Sequence, residues 1–324
     1  MHFHHLKVVP PKGAVLLREM EPPSVLTKAL SAMGLKAQHD KGKLFTTLED
    51  FERAPTSYRM VVIGCIGSGK STLLNVLSGH KFVQCIQSGN YDFVWKGKDG
   101  TTDPELLFET RASTDAVTKK TAFANIDFLG DENRPLLVVD TPGHDDPSGA
   151  DLSTQEARDA VAELAADLHN KLKALGHVNS ILVLHNDVYS NRLNPATMEI
   201  LKLVDEKFAK NARSVWDHVI IGYSKCNAHD TGWRAGLERK QEAMRKAIQQ
   251  TIPQCKAELP VVPLGAGEIE PAAPASADHA AHLEKLWEFM AALADTPLDT
   301  RELQPFEGMH MHAHASARAS ARTC

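Results

Sequence analysis

Residues Gly64 to Ser71 read G-C-I-G-S-G-K-S and satisfy the pattern G-x-x-x-x-G-K-[ST] without a mismatch. No other stretch of the chain restricts its fold so tightly, because the pattern works only between a strand and a helix. Both flanks comply. Met60-Val61-Val62-Ile63 is a short apolar run of strand type, and Leu73, Leu74, Val76 and Leu77 recur at the spacing of one helical face. A glycine loop in that setting directs backbone N–H groups and a helix N-terminus at phosphate oxygens. Gly64, Gly67, Ser68, Gly69 and Thr72 are the expected cradle. Lys70 is placed to reach β- and γ-phosphates, and the Ser71 hydroxyl to ligate Mg²⁺.

Further apolar runs continue the strand series: Phe123–Leu129, Leu136–Val139, Ile181–Leu184, Val219–Ile221 and Val261–Leu264. Helical patterns alternate with them. Between Gln155 and Leu175 one stripe carries Val161, Leu164, Leu168, Leu172 and Leu175. Asn194 caps a second helix with Pro195 at its first position, followed by Met198, Leu201, Val204 and Phe208. Leu237 to Gln250 forms a charged surface helix. Strands alternating with helices predict an α/β fold with a mostly parallel central sheet covered on both faces.

The chain divides into four parts: a 1–57 N-terminal extension, a 58–270 nucleotide-binding domain, a 271–304 linker with an amphipathic helix, and a 305–324 tail. In the extension, Val25–Met33 reads as a short helix capped by Ser24. After an Ala/Pro-rich stretch to about Ala277, Leu283, Leu286, Trp287, Met290 and Leu293 share one helical face that docks on the core. The tail, with His310, His312 and His314 and then Ala/Ser/Arg, is expected to be disordered.

A net charge of −5 gives no electrostatic case for binding nucleic acid. No apolar run approaches the roughly 18 residues of a membrane span. The five cysteines form no C-x-x-C pair, which points to a reducing compartment and, with no signal-peptide pattern at Met1 to Pro10, to a cytoplasmic protein. The terminal histidines lack the supporting partners of a structural metal site.

Leu136-Leu137-Val138-Val139-Asp140 reads as a buried strand ending in an acid, where a second Mg²⁺ contact belongs. Asp140-Thr141-Pro142-Gly143 then places Gly143, whose N–H can sense a γ-phosphate, at the head of a loop able to switch. Between the two motifs, Thr118 is the first choice for a threonine closing on Mg²⁺ and γ-phosphate; Ser113, Thr114 and Thr121 are neighbours able to do the same. Gly222-Tyr223-Ser224-Lys225-Cys226-Asn227 stands where guanine-binding proteins carry [NT]-K-x-D. Lys225 fits, its stem lying along a base plane. Asn227 offers one oxygen acceptor where an aspartate offers two, so guanine selectivity should be weaker. Leu264-Gly265-Ala266-Gly267 lies where a backbone N–H commonly meets guanine O6.

These motifs together resemble a TRAFAC-class P-loop GTPase, and within that class the AIG1/GIMAP/Toc group, which is related to septins. The residues that carry the resemblance are G-C-I-G-S-G-K-S-T-L-L-N from Gly64, Val117-Thr118-Lys119, V-V-D-T-P-G from Val138, and the Ile181–Leu184 strand with its downstream helix. The resemblance implies a Ras-like α/β domain that binds GTP and GDP with Mg²⁺ and hydrolyses GTP slowly. It also implies a homodimer through the nucleotide face and an effector protein as partner. The chain departs from the group in a longer stretch from His80 to Leu107, in Asn227, and in having no C-terminal hydrophobic anchor.

His144 follows D-T-P-G directly, where related enzymes place a residue that orients the attacking water. The alternative is an exposed loop histidine. Cys65 reads as a small residue facing the fold, with oxidation that obstructs nucleotide as the other reading. Two further functions stand beside the nucleotide switch: a scaffold that binds nucleotide mainly to dimerise, and an ATP-binding protein on the same loop.

Overall fold

The computed structural model describes residues 44–45, 58–87, 90–110, 121–143, 155–186, 193, 197–198, 201–202, 215–226, 231–252, 255, 259–265, 268–270, 274–301 and 303. The expected Val25–Met33 helix, Thr118, His144, Asn194, Val204, Phe208, Asn227 and the 305–324 tail lie outside them.

The strands are β1 (Leu44–Phe45), β2 (Tyr58–Ile63), β3 (Lys81–Gln87), β4 (Asn90–Lys96), β5 (Ala122–Asp127), β6 (Pro135–Asp140), β7 (His177–Val178), β8 (Ser180–Asn186), β9 (Val219–Ser224), β10 (Val261–Pro263), β11 (Glu268–Glu270) and β12 (Leu298–Asp299). The helices are α1 (Lys70–Leu77), α2 (Gln155–Leu175), α3 (Thr231–Ala235), α4 (Leu237–Thr251) and α5 (Pro274–Ala292). Seven strands form the main sheet in the order β1-β5-β6-β2-β8-β9-β10. β6, β2, β8, β9 and β10 run parallel; at one edge β5 pairs antiparallel with β6, and β1 pairs antiparallel with β5, which returns it to the common direction. This is the Ras-like α/β arrangement, with the strand that feeds the glycine loop at the centre of the sheet.

Both faces of the sheet are covered, which is why its central strands read as continuous apolar runs rather than alternating ones. Alternation still decides which side each residue serves. Val61, Ile63, Ile181 and Val183 join one cluster with Leu168, Leu172 and Leu175 of α2 and Met244 and Ile248 of α4. Met60, Val62, Leu182 and Leu184 join the other with Leu73, Leu74 and Leu77 of α1 and Leu283, Leu286 and Met290 of α5. The final helix therefore docks on the core through the face its spacing marks out. Trp287 adds an edge contact to Tyr58, with ring centroids 4.9 Å apart.

The structure corrects two expectations and gives the form of a third stretch. The Phe123–Leu129 run stops being a strand at Asp127, because Leu129 and Gly130 take left-handed φ values of 55° and 81° and turn the chain. α5 begins at Pro274, inside the stretch read as linker; proline is compatible with a first helical turn. Most of His80 to Leu107 is a hairpin. β3 pairs β4 antiparallel over Lys81–Gln87 and Asn90–Lys96, and β11 adds in parallel to make a separate three-stranded sheet. A short β7–β12 ribbon completes the described strands.

Candidate functional site

The loop between β2 and α1 has the conformation a phosphate cradle needs. Ser68 N–H donates to the Cys65 carbonyl at 3.1 Å, closing a tight turn. Gly69 then caps α1 at φ 87°, a left-handed conformation that favours glycine. The first intrahelical bond runs from Leu73 N–H to the Gly69 carbonyl. The amides of Lys70, Ser71 and Thr72 precede it and have no carbonyl of their own helix to meet. With the helix dipole, they make an anion site. The Ser68 hydroxyl is 2% exposed and meets no hydrogen-bond partner among the described residues, a polar group left for a ligand to satisfy.

Lys70 is buried within the same loop. Its Nζ donates to the Gly64 carbonyl at 2.9 Å and the Cys65 carbonyl at 3.1 Å. Burial lowers its ammonium pKa, and the nearby Asp140 carboxylate opposes that shift. The Ser71 hydroxyl donates to Asp140 Oδ2 at 3.0 Å. Asp140 ends β6 and is 1% exposed, so the two residues expected to meet a cation are brought together across a gap of 69 positions. These are hard oxygen donors. Mg²⁺ takes one or two carboxylates, a hydroxyl, waters and substrate phosphate, so the donor set fits it.

The D-T-P-G segment packs directly on the glycine loop. Thr141 Oγ1 donates to the Val62 carbonyl at 2.8 Å, tying the exit of β6 to β2. A Cβ added at Gly143 would stand 2.8 to 2.9 Å from Ile66 atoms, two of them backbone, so only glycine fits this approach. Gly143 and Lys70 thus belong to one local assembly, with Ile66 as the contact between them. Ile66 is not legible as such in the sequence, because it occupies a free x position of the motif.

At the turn expected to meet a base, Ser224 closes β9 with its hydroxyl donating to the His185 carbonyl at 3.2 Å. Gly69 lies beside it, since a Cβ there would be 3.9 Å from Ser224 Cβ. Lys225 follows with φ 52° and an exposed side chain, and partial desolvation lowers its pKa. Gly265 closes on the same turn, where a Cβ would meet Cys226 Sγ at 2.9 Å. The strand-end loops of β2, β6, β9 and β10 therefore gather at the carboxyl edge of the sheet, where open α/β sheets bind ligands.

Thr121, one of the neighbours considered with Thr118, gives its hydroxyl to Asp167 Oδ2 at 2.7 Å instead. Cys65 is half-buried, with its Sγ 3.6 Å from Thr197 Oγ1, a contact across 132 positions that no local motif announces. Among the described residues, no cluster of three or more His, Cys, Asp or Glu is arranged to hold a metal. No helix of the described residues is long and apolar enough to cross a membrane.

No known family profile matches the sequence, and no curated protein does so either. Solved structures give similarities of shape. A dimerization-deficient mutant of Toc33 from Arabidopsis thaliana is 12% identical, covering 84% of this chain and 93% of that one, with a TM-score of 0.48. Toc33 from Arabidopsis thaliana in complex with GDP and Mg²⁺ is 14% identical over 76% of this chain and 87% of that one, at 0.46. The G domain of the T. maritima FeoB iron transporter is 14% identical over 74% and 99%, at 0.33. By its own strand order and its strand–loop–helix geometry, the chain is a P-loop protein with a Ras-like α/β core.

Proposed function

We propose that the protein binds guanine nucleotide with Mg²⁺, hydrolyses GTP slowly, and signals its nucleotide state through the loops at Thr118 and Gly143. The observation that carries this reading is the convergence of Lys70, Ser71 and Asp140 on one glycine loop, with Gly143 packed against it. In this reading Gly64, Gly67, Ser68, Gly69, Lys70, Ser71 and Thr72 hold the phosphates, and the loop amides and Lys70 neutralise their charge. Ser71, Asp140 and Thr118 would hold Mg²⁺. When bound, the cation draws charge from the β- and γ-oxygens. Thr118 and Gly143 respond to the γ-phosphate, and its loss releases both loops.

His144 follows Gly143 and takes the role of orienting the attacking water. Lys225 lies along the base, and Asn227 reads its edge with a single oxygen acceptor. A cytoplasmic location, a homodimer through the nucleotide face and a protein effector complete the reading. Isothermal titration with GTP, GDP, ATP and XTP, each with Mg²⁺, tests it. GTP and GDP binding above ATP is the expected order, and Asn227→Asp should raise the preference for GTP over XTP. Tighter binding of ATP than of GTP would replace it with an ATP-binding protein.

A further inference from the structure

The chain just after β10 is fixed to the main sheet. Leu264 is fully buried, and its N–H donates to the Tyr223 carbonyl of β9 at 2.6 Å. Its side chain lies under Gly222, where an added Cβ would stand 2.7 Å from Leu264 Cδ1. β9 is tied in turn to α4, because the Tyr223 hydroxyl donates to the Lys240 carbonyl at 3.0 Å. Gly265 comes so near the turn after β9 that a Cβ there would stand 2.9 Å from Cys226 Sγ and 3.5 Å from the Cys226 carbonyl oxygen. Its φ lies outside the left-handed region, so the close approach, and not backbone strain, asks for glycine.

Beyond Gly265 the chain changes sheets. β10 is the last strand of the main sheet and pairs in parallel with β9 up to Pro263 opposite Tyr223. β11 belongs to the other sheet and pairs in parallel with β3, in the register Glu268 with Val83, Ile269 with Gln84 and Glu270 with Cys85. Val83 is fully buried, so β3 is itself anchored. The short connection from Leu264 to Gly267 is therefore held at both ends, by β9 on one side and by the β3–β4 hairpin on the other. Holding both ends removes conformational freedom before any ligand arrives. The connection also stands beside the turn that carries Lys225, and that turn lies against the phosphate loop through Ser224 and Gly69.

We propose that Cys226 and the β3–β11 ladder are positioning elements for base recognition, an inference that rests on the guanine-nucleotide reading above. Together they set where the Gly265 N–H stands relative to the six-position of a purine. An N–H donor there is satisfied by the O6 of guanine or hypoxanthine and opposed by the amino group of adenine. Cys226 fixes the approach from the turn after β9. The ladder fixes the far end of the connection, so the hairpin within His80 to Leu107 serves the site although it lies outside the main sheet. Neither element touches the phosphates, so a change in either should alter the choice of base and spare the phosphate cradle.

The test titrates the full chain with GTP, ITP and ATP, each with Mg²⁺. ITP shares O6 with GTP and lacks the 2-amino group, so the pair separates the six-position from the edge given to Asn227. Gly265→Ala should weaken GTP and ITP alike, about threefold to tenfold, the range one hydrogen bond spans, and leave ATP within about twofold. Adding Cys226→Ala removes the Sγ that the new methyl meets and should recover most of the loss. Ile269→Pro with Glu270→Pro should repeat the Gly265→Ala pattern, since successive N–H groups of a strand face opposite sides and one of the two prolines removes a ladder donor. Unchanged GTP and ITP affinities, equal losses for all three nucleotides, or no recovery on adding Cys226→Ala would overturn the inference. Wild-type protein that binds none of them, or binds ATP more tightly than GTP, would overturn the functional reading itself, and the wild-type titration alone separates the two failures.

Discussion

Lys70 is an ammonium 6% exposed, and two loop carbonyls together with Asp140 make that burial tolerable. A charge held this way sits in a medium where its interaction with phosphate is stronger than in water. Lys70→Ala should weaken triphosphate binding about tenfold to a hundredfold, the span of the roughly 1.5–3 kcal/mol that a hydrogen bond to a charged group carries, read by titration calorimetry. In the proposed reading, His144 acts in the chemical step rather than in binding. His144→Ala should slow single-turnover GTP hydrolysis about tenfold or more with nucleotide affinity unchanged, and an unaltered rate would remove the role. Much at this scale is legible in the sequence. Lys70, Ser71, Asp140 and Gly143 follow from spacing, because their motifs fix both chemistry and neighbours. Asn75, whose amide donates to the Phe108 carbonyl, and Thr197 do not, since each acts on a residue distant in sequence and no local pattern records that.

Elements are plain in the sequence where burial on both sides makes a strand apolar throughout, as in β2, β6, β8 and β9. The β3–β4 hairpin is not, because apolar and polar residues do not alternate cleanly along it: Phe82, Gln84 and Ile86 on one strand pair with Trp95, Phe93 and Tyr91 on the other. Only the two-residue interval Ser88-Gly89 hints at it. α5 offers a direct contrast between buried and exposed contacts. Leu286 is fully buried, while the Arg134–Glu284 pair at 2.6 Å has a half-exposed carboxylate at the surface. Leu286→Ala should destabilise the protein by about 2–5 kcal/mol, and Glu284→Ala by about 1 kcal/mol or less, in urea unfolding.

The β7–β12 ribbon supplies one source of acid sensitivity. Desolvation first, then Arg59 and Arg301, lower the His177 pKa below 6.5, so on acidification the unfolded chain takes up a proton before the folded one does. Stability must then fall as pH drops through that value. Asp299, held at about 2 by Arg301, adds a loss in the same direction only below its ordinary value of 3.8. Urea midpoints between about pH 7.5 and about pH 5.5 should therefore drop less in His177→Gln than in wild type. An identical drop in both would place the sensitivity elsewhere.

At the scale of the whole molecule, the central sheet places one loop cluster at the carboxyl ends of β2, β6, β9 and β10, with α1 and α5 behind one face and α2 and α4 behind the other. The alternation of strands and helices along the chain is enough to predict that architecture. It does not predict the antiparallel edge formed by β5 and β1, because strand direction leaves no mark on composition. Leu44–Phe45 is too short to stand out from its surroundings, yet it extends the main sheet beyond β5. The central claim is that this cluster is a Mg²⁺-dependent guanine-nucleotide site. Titration calorimetry of the full chain with GTP and with ATP, in Mg²⁺ and again in EDTA, tests it most directly. GTP should bind more tightly than ATP, and GTP binding should weaken without Mg²⁺. ATP bound more tightly than GTP, or GTP affinity indifferent to Mg²⁺, would contradict the claim.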